Sequence, residues 1–390
     1  MFYCVRTHFY ANLMRNIEIS TKNDNICILV THYYPQSTMA KQIKIKDIAE
    51  MAGVSAGTVD RVLHKRGNVS PKSKEAVEKV LAEVGYKYNI HTSAVSYRKL
   101  IRLAIVIPET IAGEYWGSVR NGLEHALEEF SDIMIDCRFL SYDQFDVNSC
   151  NSAYKALVEE EPDVAIIGPT YIDETLNVCR MLDEKDIPYI FIDSKVEGTN
   201  PLATFTTDQY ACGYLAAKLL HLSMSDEDSV AIFGAERIGN RTSNNSQERR
   251  KGFEAYMESI GKEKDIHYAH YSTTNISDNK RKVLKFIEDN GNIKGIAVLN
   301  SRGYIVADIL NECGRDDIKV ISFDLTSNNT RCLEEGRISA LLCQRPEQQG
   351  FNAIRTMINH LLYRNVESGT QHIMPIDVVF KENFPYYKEL

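Results

Sequence analysis

Apolar residues fall into distinct patterns along this chain of 390 residues. In Ile45–Val84 they recur every three or four positions: Ile48, Ala52, Val59, Val62 and Leu63, then Val77, Val80, Leu81 and Val84. That spacing puts each set on one face of a short helix, so the stretch predicts short helices around a small core. From Ile101 onward, short apolar runs alternate with longer amphipathic segments. Strands are expected at Ile101–Ile107, Ile133–Phe139, Val164–Ile167 and Tyr189–Ile192. Four more are expected at Val230–Phe233, Gly295–Leu299, Val320–Phe323 and Ile338–Cys343. Helices fall between them, for example Gln209–Leu222 and Gln247–Ser259. Strands that read apolar throughout suit parallel sheets buried on both faces. The βα alternation implies right-handed crossovers and an α/β body of doubly wound parallel sheets. About 290 residues is long for one such sheet, so two lobes are expected.

Turn chemistry sharpens the first region. Gly53 ends the first helix, because a left-handed backbone costs any residue with a Cβ more. Ser55 can cap the next helix through its hydroxyl. Ser70 and Pro71 mark the start of a third helix, with Pro in its first turn, and Gly85 ends it. A helix, a tight turn and a second helix with an exposed face form a helix-turn-helix, which lays its second helix in the DNA major groove. Residues 89–99, NIHTSAVSYRK, are polar and read as a linker to the body.

The stretch IKIKDIAEMAGVSAGTVDRVLHKRGNVSPKSKEAVEKVLAEVGYKYN closely resembles the DNA-binding headpiece of the lactose-repressor family of bacterial regulators. The matching elements are D-I-A-x-x-A-G-V-S, T-V-x-R-V-L, the V-S-P before the third helix and the closing G-Y-x-x-N. The resemblance divides the chain into a helix-turn-helix domain at 39–88, a hinge linker at 89–99 and an effector-binding and dimerisation domain of two lobes at 100–390. That body would share the fold of periplasmic sugar-binding proteins. Met39 opens the family-like sequence, so residues 1–38, which show no periodicity, are expected to be a disordered or mis-annotated extension.

Charge supports this division. The net charge of −8 hides a split: residues 39–99 hold twelve Lys/Arg and six Asp/Glu. A basic module on an acidic body suits one face held to DNA phosphates. On the second helix Ser55, Ala56, Gly57, Thr58 and Arg61 are the exposed candidates for DNA contact. Arg61 can fork onto guanine O6 and N7. The resemblance assigns base discrimination to Ala56 and Gly57, which are both small, so DNA shape would carry part of the reading. Lys65, Arg66, Asn68 and Ser70 would meet phosphates and set register. In the resembling family the linker folds into a hinge helix on operator DNA and inserts a Leu into the minor groove, from which this chain departs. The matching position is Val95.

In the body, polar residues gather where strands end, which is where open α/β sheets bind ligands. Tyr115 and Trp116, the single Trp, lie in the loop after the first strand as candidate platforms for a sugar ring or as a lid on their own lobe. Asp143 and Phe145 follow the second strand, Thr170 the third and Asp193 the fourth, while Asp208 begins the next helix. The resemblance adds Arg249, Asn300 and Asp324 as effector contacts, with Gln344 at the end of ISALLCQ beside them. An Asn or Asp at a strand end can equally cap the following helix.

Other classes find little support. No membrane-length apolar run occurs, and Ile26–Val30 is too short for a signal-peptide core. The nine cysteines contain no C-x-x-C pair, and the ten histidines show no metal-ligand spacing. No nucleophile elbow, Walker loop, zinc-protease motif or Gly-rich dinucleotide turn is present, so no enzyme and no cofactor is expected. The reading is a ligand-responsive, sequence-specific DNA-binding transcription regulator of carbohydrate use. It would be a cytoplasmic, nucleoid-associated homodimer on a pseudo-palindromic operator. Its effector would be a sugar or polyol, with a free acid or phosphate less favoured because Asp324 would repel it. The alternative is a sugar-binding solute receptor with a vestigial headpiece.

Overall fold

The computed structural model describes residues 20–22, 25–27, 45–63, 69–83, 100–237, 243–273, 275–363 and 368–387. The chain divides into two compact units, Met1–Asn89 and Ile90–Leu390.

In the first unit, Ser20–Lys22 (β1) pairs antiparallel with Asn25–Cys27 (β2), a short ladder within a segment expected to lack strands. Three helices follow: Ile45–Ala52 (α1), Ala56–Leu63 (α2) and Pro71–Glu83 (α3). Gly53 takes a left-handed backbone with φ of 63°, and Val54 N–H closes the turn on the Ala49 carbonyl at 3.0 Å. The Ser55 hydroxyl accepts from Thr58 N–H at 3.1 Å and the Ser70 hydroxyl from Ser73 N–H at 3.2 Å. Both are the side-chain caps expected of a Ser before a helix. Ile48, Ala49, Val59, Val77 and Val80 form the buried core, with Ala52, Val54, Val62 and Leu81 around it. Lys65, Arg66, Asn68, Val84, Gly85 and the linker with Val95 lie outside the described residues, as does the side chain of Leu63.

The second unit holds two parallel-dominated lobes. The first runs β3 (Ile101–Pro108), α4 (Tyr115–Glu129), β4 (Ile135–Tyr142), α5 (Val147–Glu160), β5 (Val164–Ile167), α6 (Ile172–Glu184), β6 (Tyr189–Asp193) and β7 (Ala203–Thr207). The chain then crosses to build the second lobe. This runs α7 (Gln209–His221), β8 (Ser229–Ala235), α8 (Asn244–Ser259), β9 (Ile266–Tyr271), α9 (Ile276–Asp289), β10 (Ile293–Val298), α10 (Tyr304–Glu312), β11 (Lys319–Phe323), α11 (Ser327–Glu334) and β12 (Ala340–Cys343). It crosses back as α12 (Pro346–Tyr363), adds β13 (Thr370–Met374) to the first sheet and β14 (Asp377–Val379) to the second. The sheet orders are β13-β7-β6-β5-β3-β4 and β14-β12-β11-β10-β8-β9. All described pairings in these sheets are parallel except β12 with β14, which departs from the parallel expectation. Apolar clusters cover both faces of each sheet, which is why the central strands read as continuous apolar runs.

All eight expected strands of the body are present, Val164–Ile167 with the expected ends and the others with shifted ones. Four more, β7, β9, β13 and β14, were not expected. The strand expected at Ile133–Phe139 begins at Ile135 and runs on to Tyr142.

The two lobes repeat one arrangement. Reading the sheet orders against each other matches β6 with β11 and β4 with β9. Asp193 and Asp324 stand at matching strand ends, both with left-handed backbones, φ 74° and 63°. Buried Tyr142 and Tyr271 close matching strands.

Candidate functional site

A cleft of about 840 Å³, part of it open to solvent, lies between the lobes at the C-terminal ends of their strands. Parallel strands direct their carbonyl ends and the following loops to one edge, so both lobes offer polar groups there. The crossings run beside its floor, and Gln344 sits at one of them. Its Oε1 accepts from Thr207 Oγ1 at 2.9 Å, Gln209 Nε2 at 3.0 Å and Arg249 Nη2 at 2.8 Å. Its Nε2 donates to both carboxylate oxygens of Asp324, each at 3.1 Å. Arg249 also donates from Nε to Gln209 Oε1 at 2.8 Å and from Nη1 to the Leu299 carbonyl at 3.0 Å. Its guanidinium lies 4.0 Å from the centroid of the Phe323 ring. The floor is therefore a buried network satisfied from both lobes, the kind of polar cluster that fixes geometry.

Helix packing places Arg249 there. Gly213 on α7 lets α8 approach until an added Cβ would stand 1.7 Å from the Arg249 carbonyl oxygen. Gly252 does the same against Tyr210, at 1.9 Å.

The second carboxylate, Asp193, accepts from Tyr115 Oη at 2.7 Å and from Asn245 Nδ2 at 2.8 Å. Asn245 belongs to α8, so this contact joins the lobes. Ser194 Oγ donates to Asn245 Oδ1 at 2.6 Å beside it. Burial pushes the Asp193 carboxyl above its ordinary range, against the Tyr115 hydrogen bond and the Arg249 charge. Burial also pushes Asp324 up to about 7, although Arg249 and Gln344 pull it down.

The raised value has a consequence for stability. Between its ordinary 3.8 and about 7, folded Asp324 holds a proton that the unfolded chain has released. Stability from this group therefore falls as pH rises through that window. Melting the ligand-free protein from pH 5.5 to 8 is expected to give a falling profile that Asp324→Asn makes shallower. An identical slope in the variant would assign the dependence to other groups.

Of the residues singled out in the sequence, Tyr115, Trp116, Phe145, Thr170, Asp193, Arg249, Asn300, Asp324 and Gln344 line the cleft. Tyr115 and Trp116 sit in the first turn of α4 rather than in a loop, and both are buried. Tyr115 is committed to Asp193, while Trp116 packs against Gly168, whose added Cβ would meet the indole at 2.6 Å. Thr170 bonds to the Tyr142 hydroxyl, and Asn300 Oδ1 accepts from Tyr271 Oη at 2.8 Å. Asp143 lines an adjoining cavity, where its Oδ1 accepts from Phe145 N–H at 2.8 Å. Asp208 stands outside the lining. It is exposed and caps α7, accepting from Ala211 N–H at 2.9 Å. The capping reading of a strand-end Asp applies there.

The structure adds residues that the sequence did not single out. Arg237 and Arg302 line the cleft around Phe145, and Asn245 reaches it from α8. Arg237 stands two residues after β8 and Arg302 two after Asn300, so the strand-end rule reached their neighbours but not them.

In the first unit, Ser55, Ala56, Gly57 and Arg61 are exposed along α2 and Thr58 is half-buried. Ser55 is occupied by capping and by the Thr58 hydroxyl at 2.9 Å. Ser70, exposed at the start of α3, likewise caps its helix. Arg61 is thus the long charged side chain among the described contact candidates. No helix among the described residues is long and apolar enough to cross a membrane.

Residues 44–89 match the family described as "Bacterial regulatory proteins, lacI family", and residues 103–364 match "Periplasmic binding protein domain". The chain is similar to the HTH-type transcriptional regulator DegA of Bacillus subtilis, 26% identical over 72% of this chain and 81% of DegA. It is 27% identical to the sucrose operon repressor of Pediococcus pentosaceus, over 55% of this chain and 60% of the repressor. A crystal structure of a candidate LacI transcriptional regulator from Bacteroides fragilis is 32% identical, covers 74% of this chain and 100% of its own, and has a TM-score of 0.70.

Proposed function

The chain belongs to the lacI family of bacterial regulatory proteins, and we propose that it binds operator DNA and adjusts that binding to a sugar-like ligand held between its lobes. It is a DNA-binding regulator of carbohydrate genes. The observation that carries the ligand reading is the gathering of Arg249, Asp324, Gln344 and Asp193 from separate chain segments onto the wall of one cleft. Hydroxyls donate to a carboxylate and accept from a guanidinium, so a polyhydroxylated ligand satisfies both.

The network suggests how binding is felt. Gln344 joins a crossing segment to Thr207 of the first lobe and to Arg249 and Asp324 of the second. A ligand that competes for Arg249 or Asp324 loosens or redirects those bonds, and it stabilises whichever lobe arrangement it contacts best. Two copies acting as a homodimer on a pseudo-palindromic operator would convert that arrangement into a change of affinity. Catalysis is not part of this reading: the oxygens of both carboxylates already accept protein hydrogen bonds.

Arg61 carries the DNA side of the proposal. Arg61→Ala is expected to cost roughly 1–3 kcal/mol of specific binding and relax preference at one base pair per half-site. Titration of the variant against operator and random duplex checks it. An unchanged operator-to-random ratio would mean that α2 does not present Arg61 to the bases.

A further inference from the structure

Resting on that reading of the cleft, we infer that the effector is an anionic sugar, a sugar acid or sugar phosphate whose charged group is held by Arg237 and Arg302. The carboxylate-bearing floor would take its hydroxyls.

The two arginines share one aromatic. The guanidinium carbon of Arg302 lies 4.7 Å from the Phe145 ring centroid and that of Arg237 lies 5.4 Å from it. Arg237 is also 5.5 Å from the Tyr171 ring. Aromatic faces hold guanidiniums without neutralising them, leaving their N–H edges available. Neither arginine forms an ion pair among the described residues. Arg237 Nη1 is buried with no hydrogen-bond partner among them. A buried donor left unsatisfied is costly, so a binding site is the natural place to find one. Tyr171 does bond the Arg237 side chain, yet burial still draws its pKa downward.

Two of the nearby carboxylates have other engagements. Glu236 pairs with Lys282 at 3.0 Å, and Asp143 accepts from Phe145 N–H. Glu114 feels the charge of Arg302 but is pushed up by burial more strongly than it is pulled down. Glu109 lines the adjoining cavity.

Charge balance across the cleft agrees. Its lining carries Arg237, Arg249 and Arg302 against Asp193 and Asp324. Both carboxyls are pushed toward protonation by burial. The repulsion that Asp324 was expected to impose on an acid is therefore weakened. Asp324 is further tied to Gln344, whose amide meets both of its oxygens. A planar carboxylate or a phosphate accepts well from guanidinium edges.

Isothermal titration of the full-length protein tests this. The probes are the gluco, galacto and ribo series, each as neutral sugar, sugar acid and terminal sugar phosphate, with inorganic phosphate as control. At least one anionic member is expected to bind at least tenfold tighter than its neutral parent. Whether the acid or the phosphate wins identifies the charged group. Arg302→Gln and Arg237→Gln should each bring that preference below threefold, and either variant alone keeps the test sound if the other misfolds. A neutral sugar that binds as tightly as every anion overturns the inference and leaves the sugar-binding cleft standing. A panel in which nothing binds overturns both. A preference that survives both substitutions overturns the role of the two arginines.

Discussion

At pH 8, above the point where Asp324 ionises, Asp324→Asn is expected to weaken effector binding by about 1.5–3 kcal/mol, roughly 10- to 150-fold, the worth of hydrogen bonds to a charged group. Asn is the informative replacement because residue 324 has φ of 63°, a region that Asn tolerates and most side chains resist. The amide would set an NH₂ group against the Gln344 NH₂, which now donates to both Asp324 oxygens. Gln344 cannot turn over to accommodate it, since its Oε1 accepts from Thr207, Gln209 and Arg249. The ratio of operator Kd with and without ligand should therefore collapse toward one. A variant that responds at the same ligand concentration as the parent would place the effector elsewhere.

Gly213→Ala should be the most damaging small substitution in the body. Its Cβ would lie 1.7 Å from the Arg249 carbonyl oxygen, a backbone atom that cannot swing aside. The helices must part, at a cost of about 1–3 kcal/mol or more. The shift carries Arg249 away from Gln209 and Gln344, so effector affinity falls along with the melting temperature. Gly291→Ala is the control. Nothing lies within 4 Å of its Cβ, and the change should stay within about 0.5 kcal/mol. If the two variants melt alike, α7 and α8 do not cross as closely as described.

The helical unit was legible because its signals are local. A Gly turn, two Ser caps and a Pro start each act within four residues. The central strands were legible for a different reason: burial on both faces leaves an unbroken apolar run. The missed strands break that rule. β7, ATFTT, reads polar, yet its threonines are buried, with Thr206 bonded to the Asp193 carbonyl of the neighbouring strand and Thr207 to Gln344 at the crossing. β4 and β9 lie at sheet edges and alternate, so their ends blur, and β13 and β14 are short pieces after the last helix. Tyr115, Trp116, Phe145, Thr170 and Asp193 followed from one rule, that ligands meet strand ends, while Arg249, Asn300 and Asp324 followed from the family resemblance. The rule cannot separate a strand-end Asp that caps from one that faces the cleft, as Asp208 and Asp193 show. Nor does it reach Arg237 and Arg302, whose meeting around Phe145 depends on two lobes closing over loops far apart in sequence.

Fluorescence anisotropy of the full-length protein on an operator selected from random duplex DNA, with and without saturating ligand from the sugar panel, asks whether this chain reads DNA and whether a ligand bound between its lobes changes the reading. Operator affinity is expected to stand at least about 10³-fold above that for a scrambled duplex at physiological salt. Ligand is expected to shift it roughly 5- to 150-fold. Equal affinity for operator and scrambled DNA, or an operator Kd that no ligand moves, would contradict the proposed function.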